Sequence, residues 1–91
     1  MTGQRGRESA TLRRLRWRCR RGTKELDLLL EGFLDSGFQQ LDAAGQEAFE
    51  HLLAQEDHDL QAWLITGEKP TEGALRRIVE TIRTTDLSPR R

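Results

Sequence analysis

The chain has 91 residues, of which 35% are hydrophobic, and its 15 Lys/Arg and 15 Asp/Glu cancel to a formal net charge of zero. A chain of this length builds one small domain with a thin core and has little room for a deep substrate pocket. No apolar run approaches the ~20 residues of a membrane span, the N-terminus has no apolar stretch of the secretory kind, and a lone Cys19 excludes an internal disulfide and suits a reducing, cytoplasmic setting.

Residues 1–9 are polar and rich in Arg and Gly, the composition of a disordered basic arm. A basic helix is predicted from about Thr11 to Arg20. Leu12, Leu15 and Cys19 share one side of it, and Trp17 lies nearly opposite, offered to another element or to a partner. Gly22 suits the stop of that helix. Leu26, Leu29, Leu30, Phe33 and Leu34 then recur at three- and four-residue steps, the stripe of a second helix that ends at Ser36-Gly37. Asp42 is placed to cap a third helix, with Leu41 just ahead of the cap and Ala48, Phe49, Leu52 and Leu53 as the inner face. Asp57 is expected to cap a short fourth helix, with Asp59 in its positively polarised first turn. Leu60, Trp63 and Leu64 point inward from it and Gly67 closes it. After Pro70, Thr71 is the expected cap of a fifth helix whose core face is Leu75, Ile78, Val79 and Ile82. From about Thr85 the chain reads as a polar tail. No segment alternates with the period of a strand. The prediction is an all-α, compact five-helix bundle: one domain over 10–84, between a basic arm (1–9) and a tail (85–91).

The zero net charge hides a steep polarity. Up to Lys24 there are nine Lys/Arg and one acid, a formal +8; from Glu25 to Glu68 there are eleven acids and no Lys or Arg, a formal −11. The run Arg20-Arg21-Gly22-Thr23-Lys24-Glu25 sits on the seam. Asymmetry of this kind points to a partner more than to a fold.

Enzyme signatures are missing. His51 and His58 have no second ligand at helical spacing, and there is no Gly-rich phosphate loop or nucleophile motif. The chain is therefore expected to be no enzyme and to hold no metal. Cys19 stands among arginines that favour a thiolate, but packing as a small residue beneath the first helix is the preferred reading. Glu56-Asp57-His58-Asp59 lacks the ligand spacing of a calcium loop; capping accounts for Asp57 and the helix dipole for Asp59, with a surface contact as a further role for Asp59. The basic segment from Arg13 to Arg21, with Trp17 inside it, has a composition that binds phosphates or stacks on bases. The acidic remainder argues against nucleic acid as the partner.

Trp17-Arg18-Cys19-Arg20-Arg21-Gly22 followed by Glu25-Leu26-Asp27 resembles the signature of the succinate dehydrogenase assembly factors that promote covalent flavin attachment. That signature is an Arg-Gly pair with Glu three positions after Gly, and Arg21, Gly22 and Glu25 fit it without gaps. Leu52-Leu53, Asp57-His58-Asp59-Leu60, Trp63-Leu64 and Gly67-Glu68-Lys69-Pro70 are similar to the family's second block. The resemblance covers about residues 12–84 and looks like the bacterial, cytoplasmic branch. It implies a five-helix bundle that binds the flavoprotein subunit of succinate dehydrogenase, or of fumarate reductase, and promotes covalent FAD attachment. FAD is then the cofactor of the client, with none bound stably by this chain, which is expected to be a monomer. An antitoxin-like binding module and a nucleic-acid binder using the basic segment are the alternative readings.

Under the resemblance, Arg21, Gly22, Glu25, Arg20, Trp17 and Asp59 are the expected partner-binding residues. Gly22 permits a helix-ending turn and lets a partner backbone come close. Arg21 offers planar, permanently charged donors, and Glu25 lies where the second helix's dipole favours its charge. The competing reading of the pair is a local Arg21–Glu25 ion pair that fixes the turn and is worth about 0–1 kcal/mol if exposed.

Overall fold

A computed structural model describes residues 9–85. The expected arm and tail lie outside the described residues except at their inner ends. Among these residues there are five α-helices and no strand. Helix α1 spans Ala10–Cys19 and α2 spans Lys24–Ser36. A 3₁₀ turn, Phe38–Gln40, leads to α3, Ala43–Leu53. Helix α4, Asp57–Leu60, runs on into a π-helical turn, Gln61–Thr66, and α5 spans Gly73–Thr84.

The ends of these elements follow local chemistry. The Ser9 hydroxyl accepts from the Leu12 amide at 3.1 Å and starts α1 one residue earlier than the apolar pattern predicts. Asp42 caps α3 as expected, its carboxylate accepting from the Gly45 amide at 2.8 Å. Gly67, at φ 99°, ends the π-helical turn in the left-handed region, and the following amide of Glu68 donates back to the Ala62 carbonyl at 2.8 Å.

Two expected caps are corrected. The residue before α4 is Glu56, not Asp57; Asp57 is the first helical residue, and its carboxylate is drawn to Arg21 instead of to the helix's own amides. The cap position of α5 is Glu72, not Thr71, and Glu72 makes no side-chain cap because its carboxylate lies 3.1 Å from His51 Nε2 on α3.

One apolar cluster joins all five helices. Leu15 and Cys19 from α1, Leu26, Leu30, Phe33 and Leu34 from α2, Phe49, Leu52 and Leu53 from α3, and the inner residues of α4 and α5 are buried together. Phe49 is its centre: its ring centroid lies 5.5 Å from Phe33 and 5.4 Å from Phe38 in tilted packing. Leu29 and Trp63, expected in the core, are only partly buried at its edge. Phe38 enters the core from the 3₁₀ turn, a position with no periodicity to announce it. Helices α1 and α2 lie antiparallel, tied by Arg16–Asp35 at 2.7 Å and Arg20–Glu31 at 3.4 Å.

Cys19 belongs to this core. Burial first, then the nearby Glu31 charge, push its thiol up to about 12, against the smaller opposing pull of Arg16 and Arg21. The folded protein should therefore resist a thiol-alkylating reagent at pH 8 and react once unfolded in denaturant, as mass spectrometry would show. Phe49→Ala should lower unfolding free energy by about 3–5 kcal/mol in denaturant titration, since its full ring is lost from the core centre. A loss below about 1 kcal/mol would place Phe49 outside the core.

Candidate functional site

The corner between α1 and α2 is built by one side chain. Arg21 lies just past the end of α1, and its side chain is only 14% exposed. Its Nη1 donates to the Arg18 carbonyl at 2.8 Å and to the Leu53 carbonyl at 2.9 Å; its Nη2 donates to the Gln55 carbonyl at 2.8 Å. Its Nε donates to Asp57 Oδ1 at 2.8 Å, and its backbone amide donates to Asp27 Oδ1 at 2.6 Å. Helix C-termini leave carbonyls without intrahelical partners. Arg21 serves the ends of α1 and α3 at once, and its acidic partners sit in the first turns of α4 and α2. A planar fork of five donors is suited to this as an ammonium is not.

The signature residues therefore divide. Arg21 turns inward, and the local Arg21–Glu25 ion pair does not form; the acid that Arg21 meets is Asp57, distant in sequence. Gly22 is exposed at φ 88°, with nothing within 4 Å of where a Cβ would stand. Lys24 and Glu25 are exposed in the first turn of α2, and Glu25 has no hydrogen bond or ion pair among the described residues.

Trp17 is 73% exposed on α1, and the Arg20 guanidinium lies 5.8 Å from its ring centroid while also reaching Glu31. With Arg13 and Arg16 they line a cleft of about 140 Å³. That is well below the ~300 Å³ at which small-molecule sites begin, so it reads as contact surface. Asp59 stands apart, half-exposed in α4, with its Oδ1 3.3 Å from His58 Nε2. No hydrogen bond or ion pair among the described residues joins it to the α1–α2 corner.

The basic segment is largely neutralised from within. Arg14 pairs with Glu50 at 3.8 Å, Arg16 with Asp35, Arg20 with Glu31 and Arg21 with Asp57. Charge already engaged by carboxylates releases fewer counterions from a nucleic acid backbone, which weighs against the phosphate-binding reading. Sequence reasoning missed Asp57 as the partner of Arg21, and also missed Leu28. The latter's exposure was legible: it falls outside the apolar stripe of α2.

Fold and site define a class: a small helical module that presents an exposed corner of mixed charge, held rigid from beneath. The family model described as the flavinator of succinate dehydrogenase matches residues 13–86. The FAD assembly factor SdhE of Legionella pneumophila (strain Paris) is 45% identical over 73 residues, spanning 80% of this chain and 91% of that protein. The proteins of the same name from Pseudomonas aeruginosa and Pectobacterium atrosepticum are 40% and 37% identical, over 82% and 78% of this chain and 89% and 81% of their own lengths. The chain belongs to the family of succinate dehydrogenase flavinators.

Replacing Arg21 by Lys should cost about 1–3 kcal/mol, because an ammonium's three donors leave at least one of the four acceptors unserved. Glu25→Ala should cost less than about 1 kcal/mol, the loss of one carboxylate from the first turn of α2. Denaturant titration of the two variants side by side checks this; equal, negligible losses would mean that Arg21 does not hold the corner.

Proposed function

We propose that this protein is a non-enzymatic assembly factor that binds the flavoprotein subunit of succinate dehydrogenase and promotes its covalent attachment of FAD. The observation that carries the reading is the family's Arg-Gly-x-x-Glu signature placed on one rigid corner, with Gly22 and Glu25 facing outward. FAD belongs to the client, and the chain holds none stably. The related flavoprotein of fumarate reductase is a second client under the same reading, and the protein acts as a monomer in the bacterial cytoplasm.

The mechanism is selection of a client conformation. The bond between FAD and the client would be made by the client's own groups, and this chain would supply binding and no reacting atom. A partner that binds the competent client state more tightly raises its population, about tenfold for each ~1.4 kcal/mol of preference. Glu25 contributes a carboxylate with no ion pair among the described residues, ready to pair with a client cation or amide. Gly22 lets the client backbone approach the corner. Trp17 and Arg20 extend the contact along α1, Asp59 offers a separate carboxylate on α4, and Arg21 contributes by holding the corner in shape.

Co-expression with a client flavoprotein should raise its covalent flavin, read as in-gel fluorescence of the denatured subunit. Glu25→Ala should lose most of that gain while circular dichroism stays helical. Equal covalent flavin with and without this protein, in a client that needs help, would remove the reading. Gly22 needs a paired control, since any L-residue at φ 88° is strained by about 1–2 kcal/mol. Gly22→Ala and Gly22→Arg should lose similar stability, yet only Gly22→Arg should abolish client capture. Similar capture by both would show that bulk at this position is harmless.

A further inference from the structure

Among the described residues the exposed large hydrophobics are Trp17, Leu28 and Ile65. Single exposed apolar residues are ordinary on protein surfaces. Two of these three, however, stand on the α1–α2 hairpin that carries the signature. Leu28 is 66% exposed although its helix buries Leu26, Leu30, Phe33 and Leu34. It contributes nothing to the core.

Leu28 and Trp17 are related through two observed contacts and the helical spacing of α2. Arg20 lies over the Trp17 ring at 5.8 Å and reaches Glu31 at 3.4 Å. Glu31 is three residues after Leu28 on α2, and so its neighbour on the helix surface. Lys24, four residues before Leu28, is the next neighbour in the other direction. The result is a strip across the hairpin: Trp17, Arg20, Glu31, Leu28, Lys24. Glu25, three residues before Leu28, runs along its other flank. The strip is thus continuous with the corner proposed to meet the client.

Its charge selects the occupant. Glu31 is already engaged by Arg20, which itself remains 61% exposed. Lys24 is exposed and has no ion pair among the described residues. On the side of Leu28 that faces Lys24 and Arg20 the charge left to offer is positive, beside two apolar side chains, while the Glu25 carboxylate, unpaired among the described residues, lies on the opposite flank. We infer that Leu28 is the apolar anchor of a docking strip that receives an acidic segment of the client flavoprotein carrying one bulky apolar side chain. That side chain seats on Leu28, the segment runs on toward Trp17, and a neighbouring carboxylate reaches Lys24 or Arg20. Arg and aromatic residues at an apolar centre are the pattern of interface anchors. The inference rests on the flavoprotein reading and adds to it a residue and the chemistry of the segment received.

Because Leu28 is exposed, its variants should keep the fold. The test measures the affinity of purified wild type, Leu28→Ser, Leu28→Glu and Lys24→Glu for the client flavoprotein, with circular dichroism and melting on each. Leu28→Ser should bind about tenfold more weakly at unchanged helicity, the loss typical of a truncated interface anchor. Leu28→Glu should be weaker still, because it sets a negative charge against an acidic segment, and added salt should weaken the wild type more than Lys24→Glu. Binding of both Leu28 variants within about twofold of wild type would overturn the inference and leave the proposed function standing. A wild-type dimer that Leu28→Glu splits would assign the strip to a second copy of the chain, and DNA binding lost in Lys24→Glu would assign it to phosphate; either overturns it. A wild type that binds no flavoprotein takes down both readings.

Discussion

The fold depends on the guanidinium of Arg21. Three backbone carbonyls and one carboxylate converge on it, from the ends of α1 and α3, the link that follows α3, and the first turn of α4. Each of these groups lies where a helix stops or starts, and helix ends are where backbone polar groups lack partners. A small all-α domain has many such ends for its size. Here one side chain, nearly enclosed, satisfies several of them and fixes the relative positions of four helices, the fourth being α2 through the Arg21 amide and Asp27. The apolar cluster around Phe49 supplies the bulk of the stabilisation, but burial is non-directional. The hydrogen bonds of Arg21 set which corner the chain turns, and how sharply.

Under the proposed function, that division of labour gives each of the three signature residues a part. Arg21 is committed to the interior, so the conformation of Gly22 through Glu25 is settled before any partner arrives. Gly22 takes a backbone angle that other residues avoid, and leaves an open surface above it. Glu25 has no partner among the described residues. A preorganised corner loses little conformational freedom on binding, which lets a small surface carry useful preference between client states.

Much of this was legible in the residues. The stripe from Leu26 to Leu34 marked α2 because apolar side chains recur with the helical period, and Asp42 marked the start of α3 because its carboxylate has amides within reach. Gly67 marked an end because only glycine rests easily at its backbone angle. The contact that matters most was not legible. Arg21 and Asp57 are separated by 36 positions, and no local rule connects them; Asp57 looked like a helix cap because an Asp just ahead of an apolar helical run usually is one. Phe38 escaped notice because a 3₁₀ turn has no period to read. Leu28 was passed over because an apolar residue off the stripe is a departure from pattern, and only the surface shows it lying beside the signature.

The claim at the centre is that Arg21 builds the corner while its neighbours touch the client. The Nε–H of Arg21, bonded to Asp57, gives its own nitrogen resonance, so NMR of the protein alone and bound to client flavoprotein tests the claim most directly. The account predicts a slowly exchanging Arg21 Nε–H, nearly unmoved by the client, while the Gly22 and Glu25 amides shift. An Arg21 Nε–H that exchanges freely in the unbound protein, or that leaves Asp57 and shifts strongly when the client binds, would contradict it.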